Sequence, residues 1–163
     1  IQDLSKFYKG KKFVKIIEKK LPFKDKEFDF VIASHVMEHV EHVEFFIKEL
    51  ERISSKGYIE LPTKLEDNLV FENKKEHLWH MDFEDVDCKL LISKKIQFFE
   101  PILTVGTIKK FNKIFRKSLI LELYWEDKIE YSLDEIDKKQ IIKFSITNLL
   151  KKFFSKKIRM LLR

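Results

Sequence analysis

Histidine and glutamate side chains gather in one short segment, where His35, Glu38 and His39 follow the spacing H-x-x-E-H. Two imidazoles one helical turn apart can bind a single zinc ion, and the glutamate can activate a water molecule for hydrolysis. An apolar run that is typical of a strand ends at Ser34, and this places His35 outside any helix. The spacing alone therefore does not supply the geometry that zinc chemistry needs, and zinc hydrolysis is the least favoured of the three functions that the sequence suggests.

A second group of polar and aromatic side chains lies further along, at His77, Trp79 and His80. An imidazole there could act as a base on an acceptor hydroxyl or amine. The alternative is that Trp79 anchors a hairpin while the two histidines lie on the surface, and the sequence alone favours this alternative. Cys88, the single cysteine, falls in a predicted strand and is expected to pack rather than to act as a nucleophile.

Several classes of protein are excluded by composition. One cysteine rules out an internal disulfide framework and a cysteine-based zinc site. The three glycines, Gly10, Gly57 and Gly106, are far apart, so the chain contains no glycine-rich phosphate or nucleotide loop. No apolar run approaches the ~20 residues of a membrane span, and no signal-peptide pattern opens the chain. We expect a cytoplasmic protein, and the first residue, Ile1, suggests a piece of a longer one.

Charge is distributed unevenly along the chain. Nine of the 33 basic side chains lie after Asp137, whereas none of the 27 acidic ones does, so the preceding body is slightly acidic. This pattern does not favour nucleic-acid binding by the body. Apolar residues recur at helical spacing within residues 138–163, which predicts a basic amphipathic helix. It could contact an anionic membrane surface, or dock on the sheet with its lysines in solvent, which we favour.

The first half of the chain alternates predicted strands with a helix. Residues 13–17 form a short β-branched run, and residues 28–34 form a nearly continuous apolar run. Both are predicted strands. Residues 43–54 carry an apolar face with helical period opposite a charged face, which predicts an amphipathic helix. Gly57 is expected to end this helix, and residues 58–61 form the next strand. The order indicates a βαβ unit of a parallel sheet.

The second half is predicted less regularly. Its expected elements are a loop over 64–76, a hairpin of 79–83 and 89–92, a helix over 107–116, a strand over 119–125 paired with 129–131, and a final helix starting near Asp134 with Ser132 as cap and Glu135 as capping-box partner.

Residues 21–61 carry a linked series of motifs. These are, in order, Leu-Pro-Phe, Asp-Lys-Glu-Phe-Asp-Phe-Val-Ile, Ser-His-Val-Met-Glu-His-Val, Glu-Arg-Ile at the end of the predicted helix, and the Gly-Tyr-Ile-Glu-Leu-Pro strand. Together they resemble the class I S-adenosylmethionine-dependent methyltransferases, in the small-molecule, type 11-like branch. The motifs cover about a quarter of the chain, and weaker similarity extends over residues 3–92.

The resemblance implies an α/β fold, a Rossmann-like methyltransferase sheet with flanking helices. It implies that this sheet is incomplete at the N-terminus, because the chain begins at the second strand and lacks the first strand and its glycine-rich loop. Residues 1–137 would form this partial methyltransferase domain, and residues 138–163 the basic amphipathic helix.

The resemblance also implies S-adenosylmethionine as the cofactor, bound outside the carboxyl ends of the strands. Asp3 would supply the carboxylate that accepts hydrogen bonds from the ribose hydroxyls of the cofactor. Glu18 would substitute for an aspartate that the family usually has at the position of Ile17. The implied cofactor-binding residues are Asp3, Glu18, Ser34 and His35.

The turn after the predicted strand 28–34, together with His77, would face the sulfonium of the cofactor or the acceptor. The implied catalytic residues are His35, Glu38, His39 and His77, and no metal ligand is assigned. For Glu38 and His39 an alternative stays open, in which the carboxylate caps the following helix and the imidazole forms a local hydrogen bond.

The leading function is therefore methyl transfer from S-adenosylmethionine to an O, N or C atom of a small-molecule acceptor, such as a sugar or lipid intermediate. Proximity and orientation would supply most of the catalysis. The 163-residue chain itself is expected to be inactive without the glycine-rich loop. The second function is that of a non-catalytic relative that serves as a binding or partner subunit, and the third is zinc hydrolysis.

Overall fold

The computed structural model describes residues 10–16, 20–84 and 88–134, which form two three-stranded sheets with helices between the strands. The elements in chain order are β1 (Val31–Ser34), a 3-10 turn (Met37–His39), α1 (Val43–Ile53), β2 (Lys56–Pro62), α2 (Lys64–Leu69), α3 (Asn73–Glu76), β3 (Trp79–Glu84), β4 (Lys89–Lys94), α4 (Val105–Leu119), β5 (Ile120–Glu126) and β6 (Tyr131–Asp134).

The first sheet has the order β1-β2-β5, and its parallel pair β1–β2 is connected through α1. This confirms the βαβ unit and the mixed α/β class. Ser34 at the end of β1 stands opposite Glu60 on β2. Since the two strands are parallel, their carboxyl ends open on the same edge of the sheet. The predictions of a helix over 107–116 and a strand over 119–125 are also confirmed, as α4 and β5.

The amphipathic pattern of α1 produces the main core. Val43, Ile47 and Leu50 are buried on one face of α1 and pack in one cluster with Ala33 of β1 and Ile59 of β2. Full burial of each such aliphatic side chain stabilises a fold by roughly 1.5–3 kcal/mol. Helical spacing in the sequence was therefore a sufficient signal for this layer.

One residue of the predicted charged face of α1 is buried, namely Glu49. Arg52 donates to both of its carboxylate oxygens, each at 2.7 Å, and the Leu21 amide donates to one of them at 2.7 Å. Hydrogen bonding from Arg52 holds the pKa of Glu49 below its usual range. The Arg52–Glu49 pair therefore holds the segment before β1 against α1. Helical periodicity does not encode this tertiary contact.

Gly57 does not end α1 as expected, because the helix ends at Ile53 and Gly57 lies inside β2. The helix is followed by Ser54 in an extended conformation, and its amide donates to the Leu50 carbonyl at 3.1 Å. Gly57 lies directly against the Trp125 side chain of β5, so this position has no room for a side chain.

The second sheet has the order β3-β4-β6. The predicted hairpin is confirmed by the antiparallel pairing of β3 and β4, whereas β6 runs parallel to β4. Ser132 therefore pairs with Leu91 in a sheet and does not cap a helix, and the expected pairing of 129–131 with β5 is wrong. Cys88 is exposed in the hairpin turn with a φ of 51°, so it is not the packed strand residue that we predicted.

The polar stretch 64–76 is not a loop, since it contains α2 and α3. Thr63 caps α2, because its side chain accepts a hydrogen bond from the Glu66 amide, and such caps favour helix initiation. The predicted strand at residues 13–17 is not formed over 13–16, which have no regular structure. A β-branched apolar run forms a strand only where a neighbouring strand can pair with its backbone groups, and this condition is not encoded in the run itself.

Some predictions lie outside the described residues. These are the contacts assigned to Asp3 and Glu18, and the basic segment 138–163. Among the residues that the structure describes, no helix combines the length and apolarity needed to cross a bilayer.

Candidate functional site

The carboxyl end of β1 turns sharply at His35, whose φ of 52° lies in the left-handed region. The turn is held to β2, because the His35 amide donates to the Glu60 carbonyl at 2.9 Å and Ser34 Oγ donates to Glu60 Oε1 at 3.1 Å. His35 Nδ1 lies 3.2 Å from Glu38 Oε1, and Nε2 lies 3.4 Å from Glu60 Oε1. The Glu38 carboxylate raises the pKa of the His35 imidazole, although partial burial opposes the rise.

The following 3-10 turn presents Glu38 and His39. Glu38 does not cap α1, which begins at Val43 with His42 as its N-cap residue and without a side-chain cap. Instead, the Glu38 carbonyl accepts from the Leu78 amide at 2.7 Å, which fastens the turn to the segment entering β3. The H-x-x-E-H helix needed for zinc hydrolysis is not formed, because residues 35–39 contain only this single short turn.

A buried cluster is centred on Asp67 of α2, whose side chain is 2% exposed. Its Oδ1 atom lies 2.5 Å from His77 Nδ1 and 3.0 Å from Lys95 Nζ, and its Oδ2 lies 2.8 Å from His80 Nε2. Burial alone would raise the pKa of Asp67, but the contacts with His77, His80 and Lys95 outweigh it and hold the pKa well below its usual range. His77 and His80 are both buried, so the expectation of two surface histidines is wrong.

Opposite these groups, Arg116 of α4 contacts Glu60 Oε2 and also donates to Glu122 Oε1 at 2.8 Å. The Tyr58 hydroxyl donates to Glu60 Oε2 at 2.8 Å. Burial acts to raise the pKa of Glu60, yet hydrogen bonds from Tyr58 and Arg116 lower it below its usual range. Glu60 therefore pairs with Arg116.

These elements enclose a cavity of about 510 Å³ between the β1–β2 edge, α3 and α4. Three of the four predicted catalytic residues line it, namely His35, His39 and His77, and Glu38 lies next to them. Asp67, Arg116 and Lys95 were not predicted from the sequence as residues of the site. Arg116 was predicted on a helix, but its position at the cavity depends on the packing of α4.

Three of these side chains could hold a metal ion. Glu38, His39 and His77 each offer a ligand atom, and the three atoms lie within 4.8 Å of one another. They are not the His35, Glu38 and His39 set that the sequence spacing suggested, because His77 takes the place of His35.

Comparison with known proteins finds a family resemblance for the first part of this site. The family model described as a methyltransferase domain matches residues 3–59, which include β1, the 3-10 turn, α1 and most of β2. The resemblance to class I S-adenosylmethionine-dependent methyltransferases of the type 11 family is therefore confirmed over this segment. No curated protein matches the chain. Asp67, His77 and α4 lie beyond the matched residues.

Proposed function

We propose that this chain forms the α/β core of an S-adenosylmethionine-dependent methyltransferase that acts on a small-molecule acceptor. The observation that carries the proposal is that His35, His39 and His77 border one cavity at the carboxyl ends of β1 and β2, next to the matched segment. Ligands of open α/β sheets bind at this edge. The cavity volume of about 510 Å³ also suits a small molecule, since such pockets usually measure roughly 300–1,000 Å³.

In this proposal the β1–α1–β2 unit belongs to a Rossmann-like methyltransferase sheet. When bound, S-adenosylmethionine supplies a methyl group on a sulfonium, which an acceptor O, N or C atom attacks in line. Ser34 and His35, at the end of β1, fit contacts on the cofactor side, and Asp3 and Glu18 are the further contacts implied by the family. The 163 residues themselves supply no glycine-rich cradle for the amino-acid part of the cofactor, because their three glycines are far apart.

The imidazoles of the cavity are the groups suited to accept a proton from the acceptor. Asp67 fixes the ring of His77, and the Glu76 carbonyl, 3.1 Å from Nδ1, fixes the ring of His39. Fixed rings keep an acceptor atom aligned for attack, and alignment supplies much of the rate of such transfers. Asp67 is thus a positioning residue for this site.

We expect the His39→Ala and His77→Ala substitutions to lower methyl transfer by about 100-fold or more, since each removes a group that can take the acceptor proton. Transfer of labelled methyl from S-adenosylmethionine into a pool of cellular small molecules measures the effect, using the longest natural form of the protein. His42→Ala is the matched control, because His42 is exposed and is not among the residues that line the cavity. Full activity in both cavity variants would show that the acceptor binds elsewhere.

A second expectation concerns the cofactor. The 163-residue chain should bind S-adenosylmethionine weakly or not at all, because it contains no glycine-rich loop to hold the amino-acid part. Isothermal titration calorimetry with this chain measures the affinity. Micromolar binding would overturn the proposed need for the loop. Absence of binding even by the longest natural form would instead favour a non-catalytic relative with a partner role.

Nucleic acid and an anionic membrane are the other partners that the sequence raised, and the structure tests neither. We propose no nucleic-acid partner for the slightly acidic body. Contact of the basic segment 138–163 with an anionic membrane is also a prediction, because the segment lies outside the described residues.

A further inference from the structure

We infer that Glu38, His39 and His77 bind a divalent transition-metal ion at the wall of the cavity. One ligand atom from each lies within 4.8 Å of the others, so the three side chains are grouped closely enough to share one ion. The inference goes beyond the proposed function, because methyl transfer as described above uses no metal; with an ion bound, His39 and His77 would act as ligands and not as proton acceptors. The proposed metal site also differs from the H-x-x-E-H zinc site that the sequence spacing suggested, because His77 comes from a distant part of the chain.

The hydrogen bonds of both imidazoles leave their Nε2 atoms available to a metal. His39 Nδ1 lies 3.1 Å from the Glu76 carbonyl oxygen, which only accepts, so Nδ1 carries the proton. His77 Nδ1 lies 2.5 Å from Asp67 Oδ1, and two lone pairs at that distance would repel, so this Nδ1 also carries a proton. A histidine that donates from one nitrogen to a carbonyl or carboxylate and ligates through the other is the usual arrangement at protein metal sites.

The third ligand, Glu38, is a buried carboxylate that is only partly compensated. It is 1% exposed, and its Oε1 atom lies 3.2 Å from His35 Nδ1. Its Oε2 atom accepts no hydrogen bond from the part of the chain that the structure describes. A buried carboxylate oxygen without a hydrogen bond is costly, and a bound cation removes that cost. This observation is independent of the distances within the cluster.

Two of the three ligands are accessible from the cavity, and the turn that carries Glu38 is held in place. His39 and His77 line the cavity, so an ion reaches them from the solvent side, where Glu66, Glu72 and Glu76 add acidic groups. The hydrogen bond from the Leu78 amide to the Glu38 carbonyl joins the 3-10 turn to the segment that carries His77. Two imidazoles and one carboxylate favour zinc, cobalt, nickel or iron over magnesium and calcium, which prefer oxygen ligands alone.

Three protein ligands would leave a coordination position open towards the cavity, as in catalytic rather than structural zinc sites. An acceptor hydroxyl that binds there would lose its proton more readily, because a bound cation lowers the pKa of an oxygen ligand. The ion would thus select acceptors that carry a hydroxyl.

The test is a titration of the metal-free 163-residue protein with Co²⁺, followed by visible absorption, and then displacement by Zn²⁺. We expect one equivalent of Co²⁺ to give ligand-field bands that Zn²⁺ removes. Glu38→Gln and His39→Gln should each weaken binding by at least tenfold, whereas the control His42→Ala should bind as the wild type does. His77→Ala also disturbs the Asp67 cluster, so Glu38→Gln and His39→Gln decide the question after circular dichroism confirms their folding.

Absence of stoichiometric Co²⁺ binding by the folded protein would overturn the inference, and so would unchanged binding in both decisive variants. The titration contains neither S-adenosylmethionine nor an acceptor. A negative result therefore leaves the proposed methyl transfer standing, and a failed methyl-transfer assay leaves the metal site standing.

Discussion

Replacement of Asp67 by asparagine is expected to lower the free energy of unfolding by about 3 to 5 kcal/mol at pH 7, the usual cost of removing one member of a buried ionic cluster. The carboxylate is 2% exposed and faces His77, His80 and Lys95. Its neutral replacement would leave the buried Lys95 ammonium without its counter-charge. Urea unfolding followed by tryptophan fluorescence measures the loss.

The effect of Asp67→Asn should also depend on pH with a definite sign. The pKa of Asp67 in the folded protein is lowered, and in the unfolded chain it is about 3.9, so its stabilisation is present above about pH 4. The difference between wild type and variant should shrink as the pH falls from 4 towards the folded pKa. Asp29→Asn is the matched control, because Asp29 is exposed, and it should change stability by less than about 0.5 kcal/mol. A loss equal to that of the control would contradict the ionic role.

The Gly57→Ala substitution is expected to destabilise the protein by about 1 to 3 kcal/mol through overpacking. A Cβ atom at Gly57 would lie 2.5 Å from Trp125 Nε1 and 2.7 Å from the Val31 carbonyl oxygen. The carbonyl belongs to β1, which pairs with β2 at this residue, so it cannot withdraw without breaking the sheet. Thermal unfolding monitored by circular dichroism gives the change.

Gly106→Ala serves as the comparison for Gly57→Ala, since it adds the same methyl group in open space. Gly106 lies in the first turn of α4, where the nearest atom to a new Cβ is Thr104 Oγ1 at 3.8 Å. Alanine there should stabilise the helix by about 0.5 to 1 kcal/mol. Equal effects at the two positions would show that Trp125 repacks freely.

The β1–α1–β2 unit was predictable from the sequence because its signals are local. An apolar run, a helical period and a second strand follow each other within residues 28–62, and the family motifs lie in the same stretch. His35, Glu38 and His39 could therefore be assigned to the end of β1. The structure confirms the strands and the helix from which that assignment started.

The cluster around Asp67 was not predictable in the same way. Glu66, Asp67 and Asn68 form a polar run, and polarity favoured an exposed loop, yet all three are buried. Their partners arrive only when the β3–β4 hairpin brings His77, His80 and Lys95 to α2. Hydrophobic period carries no information about charges that are buried in mutual contact.

Pairing between distant strands limited the prediction of the second sheet. The segment after β5 was expected to pair with its neighbour in sequence, but β6 pairs with β4 about forty residues earlier. Either neighbour would satisfy the backbone hydrogen bonds of β6. The choice depends on which face each strand buries, which a single strand's sequence does not specify.

The candidate site lies at the junction of two separate sheets. His35 and Glu60 stand at the end of the first sheet, whereas His77 leads into the second, and a hydrogen bond from the Leu78 amide to the Glu38 carbonyl joins the two sides. Each sheet keeps its own ladder of hydrogen bonds, but both share one core, in which Ala33 and Ile59 of the first sheet are clustered with Leu90 and Ile92 of the second. The apolar contacts that stabilise the fold therefore also set the separation of the two sides of the site, so a ligand that spans the junction would bind to groups whose spacing the core has already fixed.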